Sequence, residues 1–129
     1  MAERLDLKSK KELTLDDYQK GTIVTDSFGQ IDRKTDRIMA PAMMEKVLGL
    51  SGEAGEVADK FKKIIRDKGG DLSVEDKEAV VKELGDVLWY IAEISRYLDT
   101  PLSEVARKNL EKLYSRLDRN KIAGDGDNR

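Results

Sequence analysis

The amino-acid sequence predicts an all-α protein, a four-helix bundle in one domain. Three observations predict it. Apolar residues recur at spacings of three and four through three long stretches of the 129-residue chain. Only two prolines are present, and both stand where a helix would begin. Apolar and charged residues each make up 39% and aromatics 5%, which suits a solvent-rich helical protein better than a β-sandwich.

Residues 1–12 are charge-dense, with Leu5, Leu7 and the adjoining Leu13 as anchors, and read as a flexible arm. Thr14 precedes Leu15, Asp16 and Asp17, an N-cap followed by acidic first-turn residues. A first helix is expected from there through Tyr18 and Gln19 to about Phe28. Residues 29–39 have weak periodicity and read as a loop or a separate short helical turn. A second helix is expected from Pro41 to about Asp67, with Met44, Val47, Leu48, Val57, Phe61, Ile64 and Ile65 as its apolar positions. Gly52 and Gly55 within it each cost roughly 1 kcal/mol relative to Ala, and are expected to permit close helix contact or ligand approach. Gly69-Gly70 ends it.

Ser73 and Asp76 resemble an N-capping pair, with Asp as a shorter partner than the usual Glu. The third helix should reach about Leu98, carrying a broad stripe of Val80, Val81, Leu84, Val87, Leu88, Ile91 and Ile94. Thr100-Pro101 starts a fourth, with Pro at the first helical position and Leu102, Val105, Leu110, Leu113 and Leu117 on its apolar face. The helical domain is thus placed at 13–120. The Gly- and Asp-rich residues 121–129 read as a flexible tail.

With 24 basic and 26 acidic side chains the net charge is −2, so no basic excess suggests nucleic-acid binding. The chain has no cysteine, which excludes a disulfide framework, a thiolate zinc site and a Cys nucleophile. It has no histidine, which removes the commonest general base and transition-metal ligand. Any catalysis must therefore use carboxylates, lysines, tyrosines or metal-bound water. No apolar run is long enough to cross a bilayer and the charged N-terminus lacks a signal-peptide core, so a cytoplasmic protein is expected.

Two matched acidic pairs stand out. Glu53 and Glu56 form E-x-x-E in LSGEAGEVADKF, and Glu83 and Asp86 form E-x-x-D in VVKELGDVLWYI. A spacing of three puts each pair on one helix face. Glu83 lies at the edge of the third helix's apolar stripe, with Tyr90 and Asp86 further round the same side. Glu53 borders the Val57, Phe61 and Ile64 stripe, with Glu56 beyond it. Two such helices packed as an antiparallel hairpin would bring four carboxylates into a polar cleft beside the core. Four anions in one place repel one another unless a hard cation neutralises them, and Mg2+ is the natural candidate, with Mn2+ as a substitute. The plainer reading is that glutamates at this spacing simply solvate a helix face.

These residues match a known family. GLSGEAGEVADKFKK followed by KELGDVLWYIAEI resembles the MazG-like all-α nucleoside triphosphate pyrophosphohydrolases, and LTLDDYQKGT is similar to the opening helix of their smaller members. RKNLEKLYSRLDRNKIAGDGDNR is similar to the C-terminal part of some members, phage-type ones included. The resemblance covers residues 13–129. It implies a MazG fold whose helical hairpin carries the two motifs, and Mg2+-dependent hydrolysis of a (d)NTP, a deoxynucleotide for preference, to the monophosphate and pyrophosphate. It further implies Glu53, Glu56, Glu83 and Asp86 as metal ligands. Physical logic adds that Glu53 or Glu56 could orient or deprotonate the attacking water.

Lys60 and Lys63, one and two turns beyond Glu56, are expected to hold the outer phosphates. Lys108, Asn109 and Lys112 are further candidates, since their K-N-x-x-K pattern is similar to that of family members. Tyr90, one turn after Asp86, could stack on the base or hydrogen-bond to it. Trp89 reads rather as core or interface. Gln19 and Tyr18 are candidates for the nucleoside pocket, although packing and capping explain them as well. Arg129, beside Asn128, could fold over the phosphates. The resemblance also implies a dimer or tetramer whose pocket draws helices from more than one chain. The competing function is a non-catalytic helical interaction protein with a cation-binding acidic cluster. A di-iron bundle is disfavoured because such sites normally use Glu-x-x-His.

Overall fold

The computed structural model describes residues 4–9, 11–27, 31–32, 37–38 and 40–119. Its helices are α1 (Leu15–Thr22), α2 (Ala40–Lys68), α3 (Val74–Tyr97) and α4 (Leu102–Asp118). The expected four-helix, all-α architecture is present. The first helix is shorter than expected. It is capped as predicted, the Thr14 hydroxyl accepting from the Asp17 N–H at 3.0 Å. It ends at Thr22, and Ile23–Thr25 continue only as a 3-10 turn. The reason is the run Thr22-Ile23-Val24-Thr25, in which every residue is β-branched. The hydroxyls of Thr22 and Thr25 also donate back to the carbonyls of Gln19 and Thr22, each at 2.8 Å. Phe28 lies outside the described residues.

The stretch expected to be a loop or helical turn instead forms a small antiparallel ribbon. Strand β1 (Ile31–Asp32) pairs with β2 (Arg37–Ile38), Ile31 opposite Ile38. Isoleucine suits extended backbone, and the segment is too short for periodicity to reveal it.

Helices α2 and α3 make an antiparallel hairpin, the closest pairing in the fold. Contacts run in reversed order along the two helices: Lys68 meets Asp76 at 2.6 Å, Lys60 meets Glu83 at 3.1 Å, and Gly49 lies against Tyr90. The reversal is made by Gly69 and Gly70, with φ of 61° and 90°, a left-handed backbone that glycine adopts without penalty. A full capping box then restarts the helix. The Ser73 hydroxyl accepts from the Asp76 N–H and the Asp76 carboxylate accepts from the Ser73 N–H, both at 3.1 Å.

Helix α1 packs chiefly on α3, and also on α4. Pro101 takes the N-cap position of α4 rather than the first helical one, a one-residue difference. The corner between α3 and α4 is tied to α1 by Gln19. Its amide nitrogen donates to the carbonyls of Ala92 (3.3 Å) and Thr100 (3.0 Å), and its oxygen accepts from the Leu102 N–H (3.1 Å).

Ala42, Ile64, Val80, Ala92, Tyr97 and Leu102 are buried and form the core. Several residues expected to join them stay exposed in the single chain: Met44, Val47, Leu48, Phe61 and Ile65 on α2, and Val81 and Leu84 on α3. Leu84, near the centre of its stripe, is 49% exposed. The hairpin thus leaves much of its apolar surface uncovered. Among the described residues, no helix is long and apolar enough to cross a membrane.

Candidate metal centre

The close approach of α2 and α3 begins at Gly49. A Cβ on Gly49 would sit 2.2 Å from Cε1 and Cζ of Tyr90, so the ring lies where only glycine leaves room. Glu53 is one turn after Gly49, and Asp86 one turn before Tyr90. Because the helices are antiparallel, these two carboxylates are brought level, and Glu83 joins them. Glu53, Glu83 and Asp86 each offer one carboxylate oxygen, and the three oxygens all lie within 4.8 Å of one another. Gly52 and Gly55, expected to permit close packing or ligand approach, have nothing within 4 Å of an added Cβ. They face open space, and the glycine needed for packing is Gly49.

Glu53 and Glu83 are half-buried and Asp86 is exposed. Burial, then the negative charges of Asp86, Glu83 and Glu56, raise the Glu53 carboxyl above its ordinary pKa. Glu56 is exposed and stands outside the convergent trio, adding to the field rather than to the oxygen cluster. An open cleft of about 370 Å³ is lined by Thr25, Glu53, Asp86, Trp89 and Tyr90. Tyr90 meets Trp89 edge-on, with ring centroids 4.9 Å apart and planes at 85°. Burial, then the charge of Glu45 and Glu53, raises the Tyr90 phenol, which stays neutral at the cleft wall.

The lysines begin on the other side of the cluster. Lys60 Nζ lies 3.1 Å from Glu83, and Lys63 is paired with Asp59 at 2.5 Å. Both line a groove of about 240 Å³ that continues along the hairpin past Ile64, Asp67, Lys68, Asp76 and Ala79. Lys108, Asn109 and Lys112 are exposed on α4, and within one chain they do not line the acidic cleft. Gln19 does not line it either, since its amide is engaged by the α3–α4 corner. Tyr18 instead lines a neighbouring apolar cleft with Leu5, Leu7, Leu13 and Val24, and that cleft shares Thr25 and Trp89 with the acidic one. Asn128 and Arg129 lie outside the described residues.

The donor set fits a hard divalent cation. It consists of carboxylate oxygens alone, half-exposed and mutually repelling, with no nitrogen or sulfur ligand in the chain beyond amines and thioethers.

Among the described residues, several buried or part-buried charged groups were not singled out from the sequence, among them Asp26, Lys46, Glu93 and Arg96. The available signal was weak. Lys46 sits beside apolar Met44 and Val47, and Glu93 interrupts the apolar run Ile91, Ala92, Ile94.

Residues 43–119 match the model of a family described as MazG nucleotide pyrophosphohydrolase domain, a span that contains both acidic pairs. The chain is also 54% identical over 82 residues to Gene 37 protein of Mycobacterium phage L5, covering 64% of this chain and 72% of that protein. No solved structure gives a match.

Proposed function

The chain belongs to the MazG nucleotide pyrophosphohydrolase family, and from that membership we propose that it is a Mg2+-dependent nucleoside triphosphate pyrophosphohydrolase. It would convert a (d)NTP, preferably a deoxynucleotide, to the monophosphate and pyrophosphate. The observation that carries this reading is the convergence of Glu53, Glu83 and Asp86 within 4.8 Å, in a cleft with an aromatic wall and a lysine-lined groove beside it.

Glu53, Glu83 and Asp86 would hold the cation, with Glu56 one turn away as a fourth ligand. A bound Mg2+ would offset triphosphate charge and make a nearby water more acidic. Glu53 and Glu56 are the candidate proton acceptors. The water oxygen attacks the α-phosphorus, the bond to the bridging oxygen breaks, and pyrophosphate leaves. Lys60 and Lys63 would meet the outer phosphates, exchanging Glu83 and Asp59 for phosphate oxygens. Tyr90, neutral and held against Gly49, would face the nucleoside.

Asn109, Lys112 and Lys108 reach a substrate, in this reading, only across a second copy. Self-association as a dimer or tetramer is therefore part of the proposal. The exposed Val47, Leu48, Phe61, Ile65, Val81 and Leu84 give it a physical motive, because large apolar patches are seldom left in water. A cytoplasmic location, and a contribution of Gln19 or Arg129 to binding, complete what we propose.

The test is release of pyrophosphate and monophosphate from a panel of NTPs and dNTPs, with Mg2+ and with EDTA, alongside Glu53→Gln and Glu56→Gln. Mg2+-dependent pyrophosphate release, lost in Glu53→Gln, supports the reading. Orthophosphate as the first product refutes it.

A further inference from the structure

Beneath the cleft wall runs a chain of charges that the proposed chemistry does not use. Glu93 on α3 is 0% exposed at its side chain, Asp26 after the 3-10 turn is 1% exposed, and Lys46 on α2 is 2% exposed. With Arg96 between Glu93 and Asp26, the charges alternate in sign along the chain. The Thr22 hydroxyl, whose one proton is shared between the Gln19 carbonyl and this carboxylate, lies 2.5 Å from Glu93, and Arg96 bridges Glu93 and Asp26 at 2.5 Å each. Asp26 also accepts from Tyr97 at 2.6 Å and pairs with Lys46 at 2.8 Å, and Lys46 in turn pairs with Glu45. Buried ion pairs of this kind add little net stability over apolar packing. Here they tie the residue after the 3-10 turn to α2 and α3.

The chain ends under Trp89. Lys46 Nζ lies 5.0 Å from the indole centroid, within cation–π range. The indole N–H donates to Thr25 of the same 3-10 turn at 2.8 Å, and Tyr90 packs edge-on at 4.9 Å. Burial alone would lower the Lys46 pKa, but hydrogen bonds and charge from Asp26 and Glu45 outweigh it and hold it above its ordinary value, so the cation persists. Trp89, Tyr90 and Thr25 are three of the five residues lining the acidic cleft.

We propose that Lys46, held by Asp26, is a positioning residue that fixes the Trp89 indole as the wall against which the substrate's nucleoside packs. The consequence for substrate rests on the proposed nucleotide hydrolysis; the consequence for Trp89 does not. A positioned wall acts on binding more than on the chemical step, because it touches neither the α-phosphorus nor the carboxylates.

Trp89 is the only tryptophan, so the protein carries its own probe. The experiment compares the unaltered 129-residue chain with Lys46→Met and Lys46→Arg. It measures acrylamide quenching of Trp89 fluorescence without nucleotide, then KM and kcat on a dATP, dCTP, dGTP and dTTP panel with Mg2+. With helical circular dichroism retained, Lys46→Met should raise the quenching constant about twofold and KM about tenfold, with kcat held within about twofold. Lys46→Arg, which keeps the cation, should restore both in part. A folded Lys46→Met with wild-type quenching, or with kcat falling while KM holds, overturns the proposal. If Lys46→Met does not fold, Thr25→Val removes the indole's N–H partner, together with that hydroxyl's own bond to the Thr22 carbonyl, and leaves the buried charges in place. Movement of quenching and KM in the same direction then supports the proposal, and wild-type values overturn it. Should the native protein hydrolyse no nucleotide, the functional reading fails, and the quenching comparison alone decides the positioning role.

Discussion

Replacing Gln19 with leucine separates two roles that sequence reasoning left side by side, nucleoside contact and structural tether. The side chain keeps its volume and loses its amide. Two acceptors survive the change well. The Ala92 carbonyl lies inside α3, and the Thr100 carbonyl still accepts from the Ser95 hydroxyl at 2.6 Å. The Leu102 N–H does not, because it is at the first turn of α4, Pro101 offers no side-chain cap, and Leu102 is buried. Two lost hydrogen bonds at about 1 kcal/mol each, plus an orphaned buried donor at about 1–3 kcal/mol, give a loss of about 3–5 kcal/mol. That is a large part of the stability of a domain this size. Urea unfolding followed by circular dichroism at 222 nm reads it directly. A midpoint unchanged from wild type would refute the tether, and a raised KM with unchanged stability would return Gln19 to the nucleoside pocket.

Three other perturbations have defined outcomes. Burial, then the hydrogen bond to Asp26, pushes the Tyr97 phenol up to about 12 from an ordinary 10.0. Its contribution to stability is therefore full below pH 10 and lost as pH rises from about 10 to about 12, roughly 2–3 kcal/mol in all. Tyr97→Phe should flatten the fall in stability across that window, seen by urea unfolding at stepped pH; an equally steep fall would contradict the assignment. Gly49→Ala must displace the Tyr90 ring, and overpacking of about 1–3 kcal/mol should exceed the roughly 1 kcal/mol gained in helix propensity. A variant melting at or above the wild-type temperature would argue against the close contact. Glu53→Gln should raise the melting temperature of the metal-free protein, because like-charge repulsion falls, and abolish any further rise on adding Mg2+. Thermal melts with and without Mg2+ check both halves.

Much of the fold was readable because its signals are local. Thr14, the Gly69-Gly70 turn and the Ser73–Asp76 box each act within a few residues, and each marks a real boundary. The end of α1 was missed because Ile23 and Val24 look apolar and helical in period, whereas β-branching at four successive positions weakens the helix there. Glu53, Glu83 and Asp86 could be found because spacing on a helix and short-loop pairing of neighbours carry most of the geometry. Gly49 could not, since its role exists only against Tyr90, across the hairpin. Asp26, Lys46, Glu93 and Arg96 were hidden for the same reason. Their burial depends on partners drawn from three elements, and a lone charge in an apolar stretch looks the same whether it is paired or solvated. The exposed stripes of α2 and α3 carry the converse lesson: periodicity reveals that a face is apolar and is silent on what covers it.

The most direct test of the central claim is hydrolysis of a dNTP with Mg2+ in water enriched in heavy oxygen, with the products resolved by mass spectrometry. Attack at the α-phosphorus beside Glu53, Glu83 and Asp86 places the heavy atom in the monophosphate and leaves pyrophosphate unlabelled. Label in pyrophosphate or orthophosphate, or labelling that persists undiminished in Glu53→Gln, would contradict the account.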